Sequence, residues 1–571
     1  MNIYQWFIFF LGIQVIHYLG TWKLYEKAGR KGWEAGIPIY NSIVLMKIIN
    51  RPTWWTILLF IPIINLIMFP VVWVETLRSF GRKSSLDTLL AIVTCGLYIY
   101  YVNYTQEVQY HPERSTTAAT RAGDTVSSLL FAIIVATFVH TYFIQPFTIP
   151  TASLEKSLLI GDFLFVSKMN YGARVPMTTV AAPMVHDTLP VVHTKSYLKW
   201  PQLPYFRFPG FEKIKNNDIV VFNWPRDTAY NMYLSTDIRY DKPIDKKTNY
   251  VKRCVGIPGD SLQIKNGIVF INGKELILPE RAKPQYNYNV YSKKGVSTEL
   301  LSEVGSTEFN RTFEVQFYNN DQFDAIKHYL TSEPQKISED GKFKITTSSN
   351  GIPEDIIKQV NLNLQEVNDY QVVANLTFKG ADQLRKNSTI DSVIRIIREH
   401  ESSIFPDKPH DKSENNNWSC DNYGPIYIPQ AGKKVTLNLK TLPQYRLIIT
   451  EYEGNKLKIV GNDIFINNKK VTSYTFQKNY YWMMGDNRHN SLDARYFGYT
   501  PEDHIVGKPI FIWMSWNSEG KGIMNKIRWE RLFTTVSGEG QPQSYFKFFL
   551  ILLGAYFVGE YFWKKRKADQ K

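Results

Sequence analysis

Apolar residues are concentrated towards the two ends of this chain, and the middle is polar. A helix needs about 20 consecutive apolar residues to cross a bilayer. Runs near or approaching that length lie at residues 3–20, 54–74, 86–101, 126–144 and 548–563. The pattern predicts a multi-spanning membrane module at 1–125, a transmembrane anchor at 126–146 and a C-terminal transmembrane segment at 546–563.

Basic residues orient these segments. None precedes the first run, whereas Lys23, Lys27 and Arg30 follow it closely; a cleavable signal peptide has the opposite charge order. The positive-inside rule then predicts an outside N-terminus and places residues 22–53 in the cytoplasm. Four spans would return the chain to the outside after residue 144, and a fifth would carry the basic residues 564–567 inside.

One segment conflicts with this arrangement. Residues 75–83 contain Arg78, Arg82 and Lys83 but fall outside when four spans precede residue 145. If residues 54–74 are instead re-entrant, the number of spans changes. Pro62 and Pro70 within that run leave this alternative open.

From residue 145 onward, short runs alternate apolar and polar residues and are separated by turn signals. They lie at 164–169, 218–222, 250–257, 262–276, 457–471, 480–485 and 510–516. They predict a mainly antiparallel β domain, barrel-like, in two parts at 147–279 and 430–535.

Between these two parts, residues 280–429 are rich in Lys, Asn, Asp and Ser. Helix-like stretches at 321–330 and 390–403 predict an inserted α+β subdomain on the same side of the membrane. Residues 407–418 contain few apolar residues and predict a mobile loop.

The net charge of +15 is compatible with a nucleic-acid or a membrane partner. The basic residues flank apolar segments, and no recognisable nucleic-acid-binding motif occurs, so the sequence favours an anionic membrane surface and no nucleic acid. The three cysteines, Cys95, Cys254 and Cys420, form no CxxC pair and indicate neither a zinc site nor a disulfide framework. No metal or other cofactor is predicted.

Three clusters carry candidate chemistry. Ser153 follows Pro-Thr-Ala, Lys252 lies in an apolar β-type run, and residues 483–498 read MMGDNRHNSLDARYFG. Taken singly, these are typical of a helix cap, a solvated lysine and a turn with surface ion pairs. Their combination, in this order and directly after a membrane span, is far more specific.

The chain resembles the bacterial type I signal peptidases of the Ser/Lys dyad class over about residues 140–270 and 440–520. The resemblance rests on QPFTIPTAS, LLIGDFLFV, DIVVF, YVKRCVGIPGD and GDNRHNSLDARYFG. It implies a membrane-bound serine endopeptidase that removes signal peptides from exported preproteins. It also implies a place in the bacterial cytoplasmic membrane, with the catalytic domain on the extracytoplasmic side.

The resemblance assigns roles residue by residue. Ser153 is the expected nucleophile and Lys252 its base, and burial among apolar residues would lower the lysine pKa towards working pH. The Thr151 hydroxyl and the Ser153 N–H would form the oxyanion hole. The expected support is a hydroxyl that orients the lysine, an ion pair that braces its loop, and two further charged residues: Ser491, Asp493, Arg495, Asp486 and Arg488.

Substrate selection is expected from the same strands. Phe147, Ile149 and Val251 would wall shallow pockets that accept small side chains, so cleavage is expected after Ala-x-Ala-like sequences. The implied partners are exported preproteins, the lipid bilayer and the secretion machinery.

The chain departs from the resemblance directly after the nucleophile. The family has Ser-Met-x-Pro-Thr, whereas residues 153–157 read Ser-Leu-Glu-Lys-Ser. This loses a proline and adds Lys156 as a second candidate base. Lys252 is favoured because Lys156 lies in a polar turn, where water would solvate its charge.

Two other function classes remain open. One is a dedicated Ser/Lys processing protease for particular exported proteins, and the other is a non-catalytic preprotein-binding relative. Retention of both Ser153 and Lys252 argues against the second. No HExxH or GxSxG motif occurs, so the sequence gives no sign of a zinc metalloprotease or an α/β-hydrolase.

Overall fold

The structure of the chain is a computed structural model. It describes residues 2–117, 120–230, 239–337, 341–401, 403–406, 418–518, 520 and 522–569. The predicted mobile loop at 407–418 lies outside the described residues except for Trp418.

The N-terminal module is helical. The Asn2 side chain caps the first helix by accepting the Gln5 N–H at 2.9 Å. The helices are α1 (Ile3–Lys27), α2 (Tyr40–Ile48), α3 (Trp55–Leu58), α4 (Ile64–Ser79), α5 (Ser85–Val93), α6 (Tyr98–Thr105) and α7 (Arg121–Tyr142). Apolar side chains from α1 to α6 share one buried core.

Two of the predicted spans are not continuous helices. The run at 54–74 divides into α3 and α4, and the run at 86–101 divides into α5 and α6, which are bent by 120° at their junction. Among the described residues, three helices are long and apolar enough to cross a membrane, or four if the bent pair counts as one span. Before residue 145 these are α1 and α7, with the bent pair as a third, so the structure does not support the arrangement with four spans.

A single residue, Phe143, lies between α7 and the first strand of the β domain. Its first strands are β1 (Ile144–Thr148), β2 (Asp162–Ser167), β3 (Ile219–Asn223), β4 (Asn249–Gly256), β5 (Ser261–Lys265), β6 (Ile268–Ile271) and β7 (Lys274–Glu275). Strands β2 to β7 overlap the alternating runs at 164–169, 218–222, 250–257 and 262–276, whereas β1 lies before the first of these runs. Strand β1 pairs with β2 along its whole length, with Phe147 opposite Leu164.

The insertion adds two small sheets with helices. Its elements are β8 (Gln285–Tyr291), α8 (Thr298–Glu303), β9 (Arg311–Gln316), α9 (Asn320–Ile326), β10 (Gln335–Lys336), β11 (Lys342–Thr347), α10 (Glu354–Gln359), β12 (Leu364–Val367), β13 (Gln371–Thr377), α11 (Phe378–Arg385), β14 (Ser392–Arg395) and β15 (Tyr423–Tyr427). Helix α9 lies where 321–330 predicts it. Strand β15 pairs with β5, so this last strand of the predicted insertion belongs to a core sheet.

The helix expected at 390–403 is wrong, because part of that stretch forms β14. Strand β14 pairs antiparallel with β8, which places Val393 opposite Val290. Both valines are buried in the insertion's apolar core. Edge pairing and burial of a β-branched residue override the helical spacing of the segment.

The second part of the core completes the domain. Its elements are β16 (Lys434–Thr436), α12 (Leu442–Leu447), β17 (Leu457–Val460), β18 (Asp463–Ile466), β19 (Lys469–Val471), β20 (Ser473–Thr475), β21 (Tyr480–Met484), α13 (Ala494–Phe497), β22 (Thr500–Pro501), β23 (Ile505–Ser515), α14 (Ile523–Lys526) and β24 (Thr534–Thr535). The C-terminal helix α15 (Phe546–Asp569) follows the domain.

The largest sheet unites strands from both parts of the core. Its order is β1-β2-β23-β3-β4-β21-β22, with β24 paired to β23, and the pairs are antiparallel. The expected class, a mainly antiparallel β domain with apolar helices and an α+β insertion, is confirmed. The arrangement brings residue 153, residue 252 and the loop after β21 to one region.

Candidate active site

Ser153 lies in a tight turn after β1. The chain forms one turn of 3₁₀-helix at Ala152–Leu154, and Ser153 is 8% exposed. The hairpin closes behind it because Ile149 exchanges main-chain hydrogen bonds with Gly161 and Asp162, each 2.9 Å long. Leu154 packs with Ile149 in a buried apolar cluster. The serine is therefore held between an anchored strand and an anchored turn.

Lys252 projects from the middle of β4. Its Nζ lies 2.7 Å from Ser153 Oγ and 3.2 Å from the main-chain oxygen of Val251. The residue is 4% exposed. Burial lowers the pKa of Lys252 to about 8, although the carboxylates of Asp493 and Asp486 raise it. A buried amine of this pKa is partly neutral near pH 8 and can accept a proton from the serine hydroxyl.

Lys156 points elsewhere. Its Nζ donates a short hydrogen bond to the main-chain oxygen of Gly305, in the insertion. Burial lowers the pKa of Lys156 and the neighbouring Glu155 carboxylate raises it. Both lysines therefore have lowered pKa values, so the position of each amine decides which of them can act as the base. Only Lys252 makes a described hydrogen bond to Ser153.

The loop after β21 is braced from within. Asp493 and Arg495 form a fully buried ion pair of 2.7 Å, and Asp493 also accepts the Gly485 N–H at 3.0 Å. Burial alone would raise the pKa of Asp493, but the Arg495 guanidinium holds it below its usual value. A Cβ on Gly485 would lie 2.2 Å from Ser491 Oγ and 2.6 Å from the Ser153 main-chain oxygen. Glycine is required for this close approach.

Of the two further charged residues expected to support this loop, Asp486 has a partner from β4. Asp486 accepts two hydrogen bonds from Arg253, at 2.8 and 2.6 Å, and one from Ser157 at 2.5 Å. Arg488 is buried beside a cavity of about 380 Å³, and its Nε has no hydrogen-bond partner among the described residues. Asp486 is therefore tied to the strand that carries the lysine.

Ser491 is close to the dyad but not bonded to it. Its hydroxyl is buried and has no hydrogen-bond partner within the described part of the chain. The expected contact with the Lys252 amine is thus not made in this structure, and the orienting role of Ser491 stays a prediction.

The residues expected to bind substrate flank the dyad. Thr151 is exposed, Phe147 and Val251 are half-buried, and Ile149 is 3% exposed. Phe147, Ile149 and Val251 belong to one apolar cluster. Strand β1 ends its sheet and pairs there with β2 alone among the described strands, so its other edge can receive an extended peptide.

His489 lies in the same loop but has no free ring nitrogen. Its Nδ1 accepts the Asn287 N–H at 3.0 Å, and its Nε2 is 2.9 Å from Asp421. Cys420 completes a group whose donor atoms lie within 4.8 Å of one another. Because both nitrogens of His489 are engaged, we interpret this group as a hydrogen-bonded cluster and not as a metal site.

Comparison with known proteins places the chain in a family. A family described as "Signal peptidase, peptidase S26" matches residues 122–354 and 428–516, more than half of the chain. The chain belongs to the S26 signal peptidase family. It is a membrane-associated serine peptidase that removes signal peptides.

Curated relatives named "Signal peptidase I" agree with this membership. The protein of Buchnera aphidicola subsp. Baizongia pistaciae is 22% identical over 391 residues, covering 68% of this chain and 76% of the relative. That of Buchnera aphidicola subsp. Acyrthosiphon pisum is 25% identical over 410 residues, covering 70% and 78%. That of Rickettsia massiliae is 25% identical over 149 residues, covering 26% and 42%.

The N-terminal helices match a different description. Residues 33–113 match a family of unknown function. This segment covers α2 to α6, which share a buried core with α1 and pack against Ile134 of α7. Residues 33–113 and residues 122–354 of this S26 signal peptidase thus match two different families.

Sequence reasoning missed three residues of the site. Arg253 pairs with Asp486, Ser157 donates to the same carboxylate, and the Asn487 N–H donates to the Ser153 main-chain oxygen at 3.1 Å. Arg253 follows Lys252 directly, so two adjacent cations in an apolar strand were the available signal. Asn487 and Ser157 gave no comparable signal, because an amide or hydroxyl in a turn is ordinary.

Proposed function

We propose that Ser153 and Lys252 form the catalytic dyad of this signal peptidase. The observation that carries the proposal is the 2.7 Å contact between a serine hydroxyl and a buried lysine amine. Ser153 Oγ attacks the scissile carbonyl carbon while the neutral Lys252 amine takes the hydroxyl proton. The resulting ammonium protonates the leaving amine, and water then hydrolyses the acyl-enzyme with the same lysine as base.

The oxyanion hole is proposed to comprise the Ser153 N–H and the Thr151 hydroxyl. Thr151 lies two residues before the nucleophile and is exposed, so its hydroxyl is open to a bound substrate. Donors that meet the negative charge only as it develops lower the barrier without tightening substrate binding equally.

Selection of small side chains is proposed to come from Phe147 and Val251. Both are half-buried and pack on the cluster that contains Ile149, which leaves little depth beside the nucleophile. The substrates are accordingly exported preproteins with Ala-x-Ala-like sequences before the cleaved bond.

Single substitutions test the dyad. Ser153→Ala and Lys252→Ala should each abolish preprotein cleavage while the protein stays folded and membrane-bound. Lys156→Ala is the matched control, since it removes a lysine from the same turn without touching Ser153, and it should retain turnover well above the dyad variants. Near-normal turnover in either dyad variant would refute the assignment.

Two groups of contacts support a proposed membrane topology. The Trp6 Nε1 donates to the Gln202 main-chain oxygen at 2.9 Å, and Ile63 packs against Ala181 and Tyr197. The N-terminal end of α1 and the start of α4 therefore lie beside the catalytic domain. Helix α7 reaches the same side directly through β1.

The opposite end of the module is basic. Arg51, Arg78 and Arg114 surround the buried Glu75 carboxylate. By the positive-inside rule this end is cytoplasmic. We infer that α1, α7 and α15 cross the membrane, while 52–79 and 85–105 form re-entrant hairpins. The catalytic domain then lies on the extracytoplasmic side, and the basic residues Arg78, Arg82 and Lys83, which conflicted with four spans, lie at the cytoplasmic end of the module.

Cysteine labelling tests the topology. In a Cys95→Ser background, Lys83→Cys should react with a membrane-impermeant maleimide only after spheroplasts are permeabilised. Lys213→Cys, at an exposed position of the catalytic domain, is the matched control and should react in intact spheroplasts. Reaction of Lys83→Cys before permeabilisation would overturn this topology.

A further inference from the structure

The insertion contacts residues 155–157, and two of these, Lys156 and Ser157, depart from the family pattern after the nucleophile. Gln285 Nε2 donates to the Glu155 main-chain oxygen at 2.6 Å. Lys156 Nζ donates to the Gly305 main-chain oxygen, and Ser157 Oγ accepts the Lys283 N–H at 3.1 Å. The altered turn is therefore held from outside the core by the inserted subdomain.

Asn487 links this subdomain to the nucleophile itself. Its main-chain N–H donates to the Ser153 oxygen at 3.1 Å, and its Nδ2 donates to the Ala152 oxygen at 3.3 Å. The same Nδ2 donates to Glu308 Oε1 at 3.0 Å, and the Oδ1 accepts from Asn375 at 2.9 Å. Asn487 is fully buried, so these contacts fix its orientation.

Of the two insertion side chains that hydrogen-bond to the Asn487 amide, Glu308 is the one with a carboxylate. Its Oε1 accepts hydrogen bonds from Asn487 and from Asn490, at 3.0 and 2.9 Å. Its main-chain oxygen accepts the Asn375 N–H at 2.8 Å. Hydrogen bonds to a charged acceptor are stronger than neutral ones, and this acceptor is itself fixed by the sheet of the insertion.

We propose that Glu308 is a positioning residue for catalysis, which acts through Asn487 to hold the Ser153 turn. The insertion then helps to position the nucleophile, in addition to forming its own subdomain. This inference rests on the proposed role of Ser153. Glu308 makes no described hydrogen bond to Ser153 or Lys252, so the proposed role is to position Ser153 through Asn487.

The expected effect falls on turnover. A displacement of about 1 Å at a reacting group can cost about 100-fold in rate. We expect Glu308→Ala to lower kcat by about 10- to 100-fold, with KM changed by less than about threefold. Glu308→Gln should recover most of kcat, because its carboxamide oxygen can accept both amide hydrogen bonds.

The experiment uses the full-length enzyme in liposomes with a preprotein substrate, and records kcat, KM and thermal stability. Glu366→Ala is the matched control: Glu366 is also a half-buried glutamate of the insertion, but it pairs with Arg311, and its loss should leave kcat unchanged. Normal kcat in Glu308→Ala, no recovery in Glu308→Gln, or an equal loss in Glu366→Ala would each overturn the proposal.

If Glu308→Ala does not fold, a second variant tests the same proposal. Asn375→Ala removes the other insertion contact to Asn487 and should also lower kcat more than it changes KM; an unchanged kcat counts against the proposal. Ser153→Ala, measured in parallel, separates the two hypotheses. Activity in Ser153→Ala refutes the dyad, whereas an inactive Ser153→Ala beside a normal Glu308→Ala refutes the positioning role alone.

Discussion

Replacing Lys252 by methionine should remove activity and stabilise the catalytic domain. Burial lowers the lysine pKa from 10.5 to about 8, so the folded state binds the proton less well than the unfolded state. The resulting cost is fully present below pH 8 and fades as the pH rises to 10.5. A difference of about 2.5 pKa units corresponds to about 3 kcal/mol at pH 7 and about 2 kcal/mol at pH 9.

The net effect of Lys252→Met also includes the lost hydrogen bond to Ser153, worth about 1 kcal/mol. We therefore expect the variant to be more stable by about 2 kcal/mol at pH 7 and by about 1 kcal/mol at pH 9. Methionine fills the same apolar space without a charge, so little packing is lost.

Hydrogen exchange of the β3 and β4 amides measures this locally, which avoids treating a multi-domain membrane protein as a two-state unfolder. Ser153→Ala is the control. It removes the same hydrogen bond but keeps the ammonium, so its stability relative to the wild type should not change between pH 7 and 9. A Lys252→Met protein that is less stable at pH 7, or whose advantage is equal at both pH values, would refute the reasoning.

Three further predictions concern the same site. The rate of preprotein cleavage should rise with pH through about 8, because the Lys252 base works as the neutral amine; a rate that is flat from pH 6 to 9 would contradict this. Thr151→Val should lower kcat by about 100-fold or more with little change in KM, and an unchanged kcat in steady-state assays would exclude the hydroxyl from the oxyanion hole. Arg253→Met should destabilise the domain by about 3–5 kcal/mol because Asp486 is left buried and unpaired; hydrogen exchange should show partial recovery in the Arg253→Met/Asp486→Leu double variant, and no recovery would rule out the unpaired charge as the cause.

The local β structure could be predicted because each run carries its own alternation and turn signals. Strands β2, β3 and β4 lie where the sequence places them. The motifs around Ser153 and Lys252 likewise identified the residues that meet in space. Their meeting itself could not be derived from periodicity, since it depends on a sheet order that joins β3 and β4 to the distant β23.

The errors arose where tertiary contacts override local pattern. Residues 390–403 have helical spacing, yet β14 forms because β8 offers an edge and a buried partner for Val393. The runs at 54–74 and 86–101 are apolar enough to span, but hydropathy does not record that each divides into two helices. The breaks fall at 59–63 and 94–97, and packing among α1 to α6 supports the chain there.

Two residues after Ser153 that differ from the family pattern, Lys156 and Ser157, contact the inserted subdomain. Lys156, at the place of the family's proline, has φ of +69°, whereas proline is restricted to about −65°. The backbone of this turn is therefore one that proline cannot adopt. A lysine at positive φ is itself unfavourable, and the contacts of Glu155, Lys156 and Ser157 with the insertion offset that cost. Restoring proline at 156 would favour a different turn and lose the Gly305 contact. The geometry of the nucleophile in this chain consequently depends on the insertion, as the proposed role of Glu308 requires.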